Sequence, residues 1–200
     1  MTRTLQLLGQ LTMCFLGIAM LQVANAQRSE FAIFKGSDKV GSIQVARSSA
    51  GDRVLYRMDS HSEFSIIWTQ VVKTSVLTEY TRGVLTYCHS FLKVNDDVRD
   101  SSYMNTKGGA VQCYVHPEML EQCDIRGEWT TARMYFEEPV STTQIYVESV
   151  LTSCPLISSG PGNYTLTFPN KTQNHYVYRD GILQEVQVIR PLFDLLFRKV

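Results

Sequence analysis

The chain has 200 residues, 44% of them hydrophobic and 19% charged, with 19 Lys+Arg facing 19 Asp+Glu. That balance excludes the strongly basic face an electrostatic nucleic-acid footprint needs, and equally a polybasic membrane-surface binder. The length suits one domain with a real core.

Residues 1–26 read as a cleaved export signal. Arg3 gives a positive start, residues 5–23 are largely apolar, and Ala24-Asn-Ala26 supplies a small-x-small cleavage pattern before Gln27. The apolar run carries Gln6, Gln10 and Gln22 and lacks basic stop-transfer residues after it, which disfavours a membrane anchor. Its removal leaves 18 basic against 19 acidic residues, and no later run is long enough to span a bilayer as a helix. The expectation is a protein exported to the periplasm or outside the cell, with a single domain over residues 27–200.

From residue 31 onward, short apolar/polar alternations are separated by turn residues, the pattern of an antiparallel sheet folding back on itself. Residues 31–34 form the first such segment, with Gly36-Ser-Asp38 turning the chain into residues 40–47. Ser48-Ser-Ala-Gly-Asp52 is the next turn cluster, followed by segments at 53–58, 61–68 and 71–80, rich in β-branched and aromatic residues. Thr81-Arg-Gly83 returns the chain into residues 84–93. Asn95-Asp-Asp97 and Lys107-Gly-Gly109 bracket residues 98–105, and residues 111–115 follow. Pro117, Asp124 and Gly127 then break the period, and Pro117-Glu-Met-Leu-Glu-Gln122 fits one short helical turn opened by proline. Residues 130–138 are ambiguous between strand and helix, residues 143–150 resume the β pattern, and 164–168, 175–183, 186–188 and 192–197 supply the final hairpins. Roughly eleven strand candidates with no long helical pattern make an all-β, mainly antiparallel meander, curled into a barrel or half-barrel with one short helical turn.

Cys14 departs with the signal, leaving Cys88, Cys113, Cys123 and Cys154. An even count in an exported chain suggests two disulfides among three possible connectivities. The preferred pairing is Cys113–Cys123, because Pro117 reverses the chain between them, leaving Cys88–Cys154 as the second. The alternative is that some of these are small buried apolar residues.

From residue 134 onward the order of features resembles an uncharacterised family of exported bacterial β-barrel-like proteins, a domain of unknown function. The corresponding stretches are Tyr135-Phe-Glu-Glu-Pro139, Tyr164-Thr-Leu-Thr-Phe-Pro169, Tyr176-Val-Tyr-Arg-Asp-Gly181 and the apolar residues 192–200. Gly36, Val40-Gly41 and the Tyr-x-x-Gly-x-Leu of residues 80–85 agree more loosely in the first half. The resemblance implies a β-rich barrel-like fold and export past the inner membrane, and it implies no activity.

No Gly-rich phosphate loop, HExxH or GxSxG occurs, so no catalytic residue, metal ligand or cofactor is assigned. Glu137-Glu138 invites a paired-carboxylate reading, but adjacent side chains on an extended chain point to opposite faces. Cys113, His116, Glu118 and Cys123 have zinc-ligand types without tight CxxC pairing, and the compartment favours a disulfide. The aromatic load is more suggestive. A barrel of more than about eight strands encloses more space than its own side chains fill. Tyr56, Phe64, Trp68, Tyr80, Tyr164, Tyr176 and Tyr178 are therefore the candidates to line a ligand cavity, with core filling as their other role. The expected function is non-enzymatic binding of an apolar small molecule or a cell-envelope component. The alternatives are an outer-membrane barrel, with which alternation is also compatible, or a hydrolase-type enzyme using His116, Glu118, Glu137 and Glu138.

Overall fold

The computed structural model describes residues 25–65, 68–106, 108, 110–123 and 127–200. Residues 1–24, which hold nearly all of the expected export signal and Cys14, and the turn or breaker residues Lys107, Gly109 and Asp124 lie outside the described residues. Fourteen strands and one helix follow in chain order: β1 Asn25–Lys35, β2 Asp38–Ala50, β3 Arg53–Ser65, β4 Thr69–Thr81, β5 Val84–Val94, β6 Asp97–Asn105, β7 Gln112–Val115, β8 Glu118–Leu120, α1 Thr131–Met134, β9 Gln144–Val147, β10 Thr152–Gly160, β11 Asn163–Thr167, β12 Gln173–Arg179, β13 Ile182–Ile189 and β14 Asp194–Lys199. All pair antiparallel in one sheet ordered β8-β7-β6-β5-β4-β3-β2-β1-β14-β13-β12-β11-β10-β9. The meander runs from β1 outward to β8, and again from β9 back to β14, which docks on β1.

The hairpins follow from turn chemistry. Asn95-Asp96 and Asp180-Gly181 both hold two consecutive positive φ values, 52° and 68° in the first and 53° and 73° in the second. Two successive left-handed residues give the tight turn whose twist matches that of paired strands. Register shifts interrupt the ladder at Ile33/Phe34, Glu79/Tyr80, Leu92/Lys93 and Val177/Tyr178. Bulges bend and twist a sheet locally, and here they curl it. Gly41 sits opposite β3 at such close approach that a Cβ would lie 2.2 Å from the His61 carbonyl oxygen.

The sheet does not close by hydrogen bonds, since β8 and β9 stand at its two ends. The β9 end instead rolls inside the curl. Ile145 and Val147 pack into one apolar cluster with Phe31, Ile43 and Leu166, whereas Tyr146 packs into a second with Tyr56, Leu85 and Met104. Both faces of β9 are therefore covered. Helix α1 enters the same interior, giving Met134 to the first cluster and Ala132 to the second. Gly127, just before it, is held so close to Leu85 and Tyr146 that a Cβ would come within 2.9 Å of each.

Three expectations are corrected. The helical turn lies at Thr131–Met134, and the segment after Pro117 is instead the short strand β8. Residues 53–58 and 61–68 read as two segments, whereas Arg53–Ser65 is one strand of 13 residues. Cys113 and Cys123 are bridged with Cα atoms 6.2 Å apart, but Cys88 and Cys154 are buried free thiols. Those two belong to different apolar clusters, Cys88 with Leu85 and Met104 and Cys154 with Met134 and Ile145, so packing rather than bonding accounts for them. No helix among the described residues is long and apolar enough to cross a membrane.

Candidate functional site

Strand periodicity places Tyr56, Met58, Ser60, Ser62 and Phe64 of β3 on one face. That inward face runs from a plugged end to an open end. At the plugged end the Tyr56 ring meets Tyr80 and Phe136 at 5.8 Å each. At the other end Phe64 meets Phe193 at 5.2 Å. Between the bulky ends come the small hydroxyl residues Ser60 and Ser62, matched by Thr74 on β4 and Ser90 on β5. Small side chains on an inward face leave space.

The plug is held by a buried acid. Thr130 caps α1, its hydroxyl accepting from the Arg133 amide at 3.4 Å. Glu148 is 1% exposed, and its carboxylate takes the free donors of the first turn. Oε1 accepts from the Ala132 amide and from the Thr78 hydroxyl, both at 3.0 Å; Oε2 accepts from the Thr131 amide at 3.2 Å and from the Thr131 hydroxyl. Ser102 donates to the Glu148 carbonyl at 2.6 Å, and the Tyr178 hydroxyl donates to the Met134 carbonyl at 2.6 Å. A carboxylate at a helix N-terminus is further favoured by the backbone dipoles.

Beyond the helix the two adjacent glutamates diverge. Glu137 accepts from the Tyr56 hydroxyl at 2.8 Å and from the Arg133 guanidinium at 2.9 and 2.7 Å. Glu138 accepts from the Tyr164 hydroxyl at 2.8 Å. Burial alone would push the Glu137 carboxyl up, but the bonds from Arg133 and Tyr56, with the charges of Arg133 and Arg47, hold it below its ordinary range. Burial, and then the bond to Glu137, push the Tyr56 phenol up to about 12. The two carboxylates thus pin the plug to β3 and β11 separately and form no dyad.

An inner chamber of about 210 Å³ lies above the plug, lined by Ser60, Thr74, Ser90, Glu148, Asn174 and Tyr176 among others. A larger groove of about 510 Å³ adjoins it toward the open end, walled by Phe64, Val72, Leu92, Val94, Phe193 and Leu195. Thr74, Val188 and Arg190 line both. The larger space falls within the range of small-molecule clefts, and its mostly apolar wall with a few polar groups is their usual character.

Of the aromatic residues picked from the sequence, Phe64 lines the groove and Tyr176 the chamber. Tyr56, Tyr80, Tyr164 and Tyr178 are buried around the plug, and Trp68 is 62% exposed. The zinc-type residues are not available as a set, because Cys113 and Cys123 are oxidised, and the described residues hold no cluster of metal-ligating side chains. Sequence reading missed Ser60, Thr74, Ser90, Glu148 and Arg190. A signal for Ser60 was there: a hydroxyl residue in register with Tyr56 and Phe64 on an alternating strand.

No curated protein matches the chain. Among solved structures, a beta-barrel-like protein of domain of unknown function DUF1849 from Brucella abortus is similar in fold, with a TM-score of 0.53 at 10% identity. The match covers 90% of this chain and 97% of that one, so the two share a beta-barrel-like fold. At the level of sequence, residues 31–200 match a family profile, and the chain belongs to the family described as "Domain of unknown function (DUF6134)".

Proposed function

We propose that the protein is an exported, non-enzymatic binding protein that holds an apolar small molecule within the curled sheet. One observation carries this reading: the inward face is plugged at one end and open at the other, where Phe64, Val72, Leu92, Val94 and Leu195 wall a groove of about 510 Å³. An apolar wall of this kind gains dispersion contacts when the apolar part of a ligand packs against it. Two of the candidate lining residues, Phe64 and Tyr176, support the same placement, while the tyrosines around the plug serve it by closing the far end. The open ends of the sheet weigh against the outer-membrane alternative, because a lipid-spanning barrel needs closure to satisfy its edge strands. The polar partners already engaged by Glu137 and Glu138 weigh against the hydrolase alternative.

A cell-envelope partner is the second reading. Trp68, 62% exposed in the β3–β4 turn, and Leu192, 79% exposed beside the groove, favour a contact at the open end. The ligand reading is tested with N-phenyl-1-naphthylamine, a neutral apolar fluorophore. Saturable binding at one site per chain, lost when Val72→Arg places a charge in the groove wall, is the expected result. No saturable binding by wild-type protein would overturn it.

A further inference from the structure

Arg190 stands where the inner chamber and the outer groove meet, lining both. Its Nη1 donates to the Ile189 carbonyl at 2.8 Å, the Asn174 amide oxygen at 3.2 Å and the Gln173 carbonyl at 3.4 Å, all neutral acceptors. The guanidinium packs over the Phe168 ring at 5.5 Å. Among the described residues no carboxylate pairs with it. Asp194 accepts from the backbone amide of Arg190 at 3.3 Å, not from the side chain. Glu148, the acid of the same chamber, is already occupied by Thr78, Thr131 and Ala132. Burial pushes the Arg190 guanidinium's pKa down, the mark of a cation that has lost water without gaining a counter-ion.

A half-buried charge normally has a partner, and a guanidinium fork matches an oxyanion in shape. Resting on the ligand-binding reading, we propose that the ligand is a single-chain amphiphile with a carboxylate head, the head bound by Arg190 and the acyl chain laid in the apolar groove. Phe64, Val72, Leu92, Val94, Phe193 and Leu195 face the chain. The hydroxyls of Ser60 and Thr74 and the amide of Asn174 give the head a polar setting. Glu148 at the plug end keeps an anion from moving deeper, so the head stays at the junction.

Calorimetric titration with palmitate, hexadecanol and hexadecyl phosphate tests this on wild-type protein and on Arg190→Gln and Arg190→Lys, with N-phenyl-1-naphthylamine bound in parallel. Wild-type protein is expected to bind palmitate about tenfold or more tightly than hexadecanol, as for a charge-assisted pair. Arg190→Gln should lose that preference and Arg190→Lys retain part of it, with naphthylamine uptake showing that each variant still forms the groove. Equal binding of palmitate and hexadecanol by wild-type protein that still takes up naphthylamine would overturn the head-group assignment alone. Absence of all binding would overturn the ligand reading with it. Hexadecyl phosphate preferred tenfold over palmitate would overturn the carboxylate in favour of a phosphate head.

Discussion

Glu148 Oε1 lies 3.0 Å from the Ala132 amide nitrogen, joining the strand-end acid to the first turn of the helix that plugs the sheet. Both carboxylate oxygens are needed there, since each accepts two donors. Glu148→Gln is nearly isosteric but turns an amide NH2 toward backbone and hydroxyl donors. It should cost about 2–4 kcal/mol in urea unfolding, because a buried donor is left facing donors. Thr130→Ala, which removes the helix cap, should cost about 1 kcal/mol. Equal small losses from both would show that Glu148 is not what seats the plug.

The plug also sets the pH range of the fold. The folded Glu137 carboxyl is held below its ordinary pKa, so its contribution is present above the usual carboxylate range and is lost as pH falls through the folded value. Melting temperature should decline below about pH 4, and Glu137→Gln should flatten that decline.

The alkaline limb has the opposite sign. Burial pushes the phenols of Tyr56, Tyr164 and Tyr176 up to about 12. A group raised in the folded state stabilises below its ordinary pKa, near 10, and that contribution disappears as pH rises toward 12. Tyrosinate absorbance should therefore show a class that ionises late in native protein and merges with the rest in denaturant. A single native transition near pH 10 would contradict the packing around the plug.

Thiol chemistry separates the four cysteines. Cys88 is 0% and Cys154 1% exposed, and burial raises both thiols, so neither should react with a disulfide reagent until the protein unfolds. A non-reducing peptide map should show Cys113 linked to Cys123. Cys113→Ser should cost about 2–3 kcal/mol, the loop entropy of a short closure. Rapid native labelling of two thiols would contradict the buried assignment.

The β character and the hairpin turns were legible because a period of two and paired turn residues are local signals. The Cys113–Cys123 link was legible for the same reason. The plug was not. Residues 130–138 are too short for a helical period, and what makes Thr131–Met134 helical is a distant acid, Glu148. Ser60 hid the length of β3, since with Asp59 it read as a break in the apolar pattern between residues 58 and 61. Ser60 lines the inner chamber, so the residue that obscured the strand is part of the site. Arg190 carried no signal at all, because its meaning depends on which strands wall it.

Native mass spectrometry of protein purified without detergent from its own source cells tests the ligand-binding claim most directly. A fraction of the molecules should carry one added mass of acyl-chain size, released by organic extraction and displaced by N-phenyl-1-naphthylamine. Protein found only at its bare mass, together with a crystal structure in which Phe64, Phe193 and Leu195 fill the groove themselves, would contradict it.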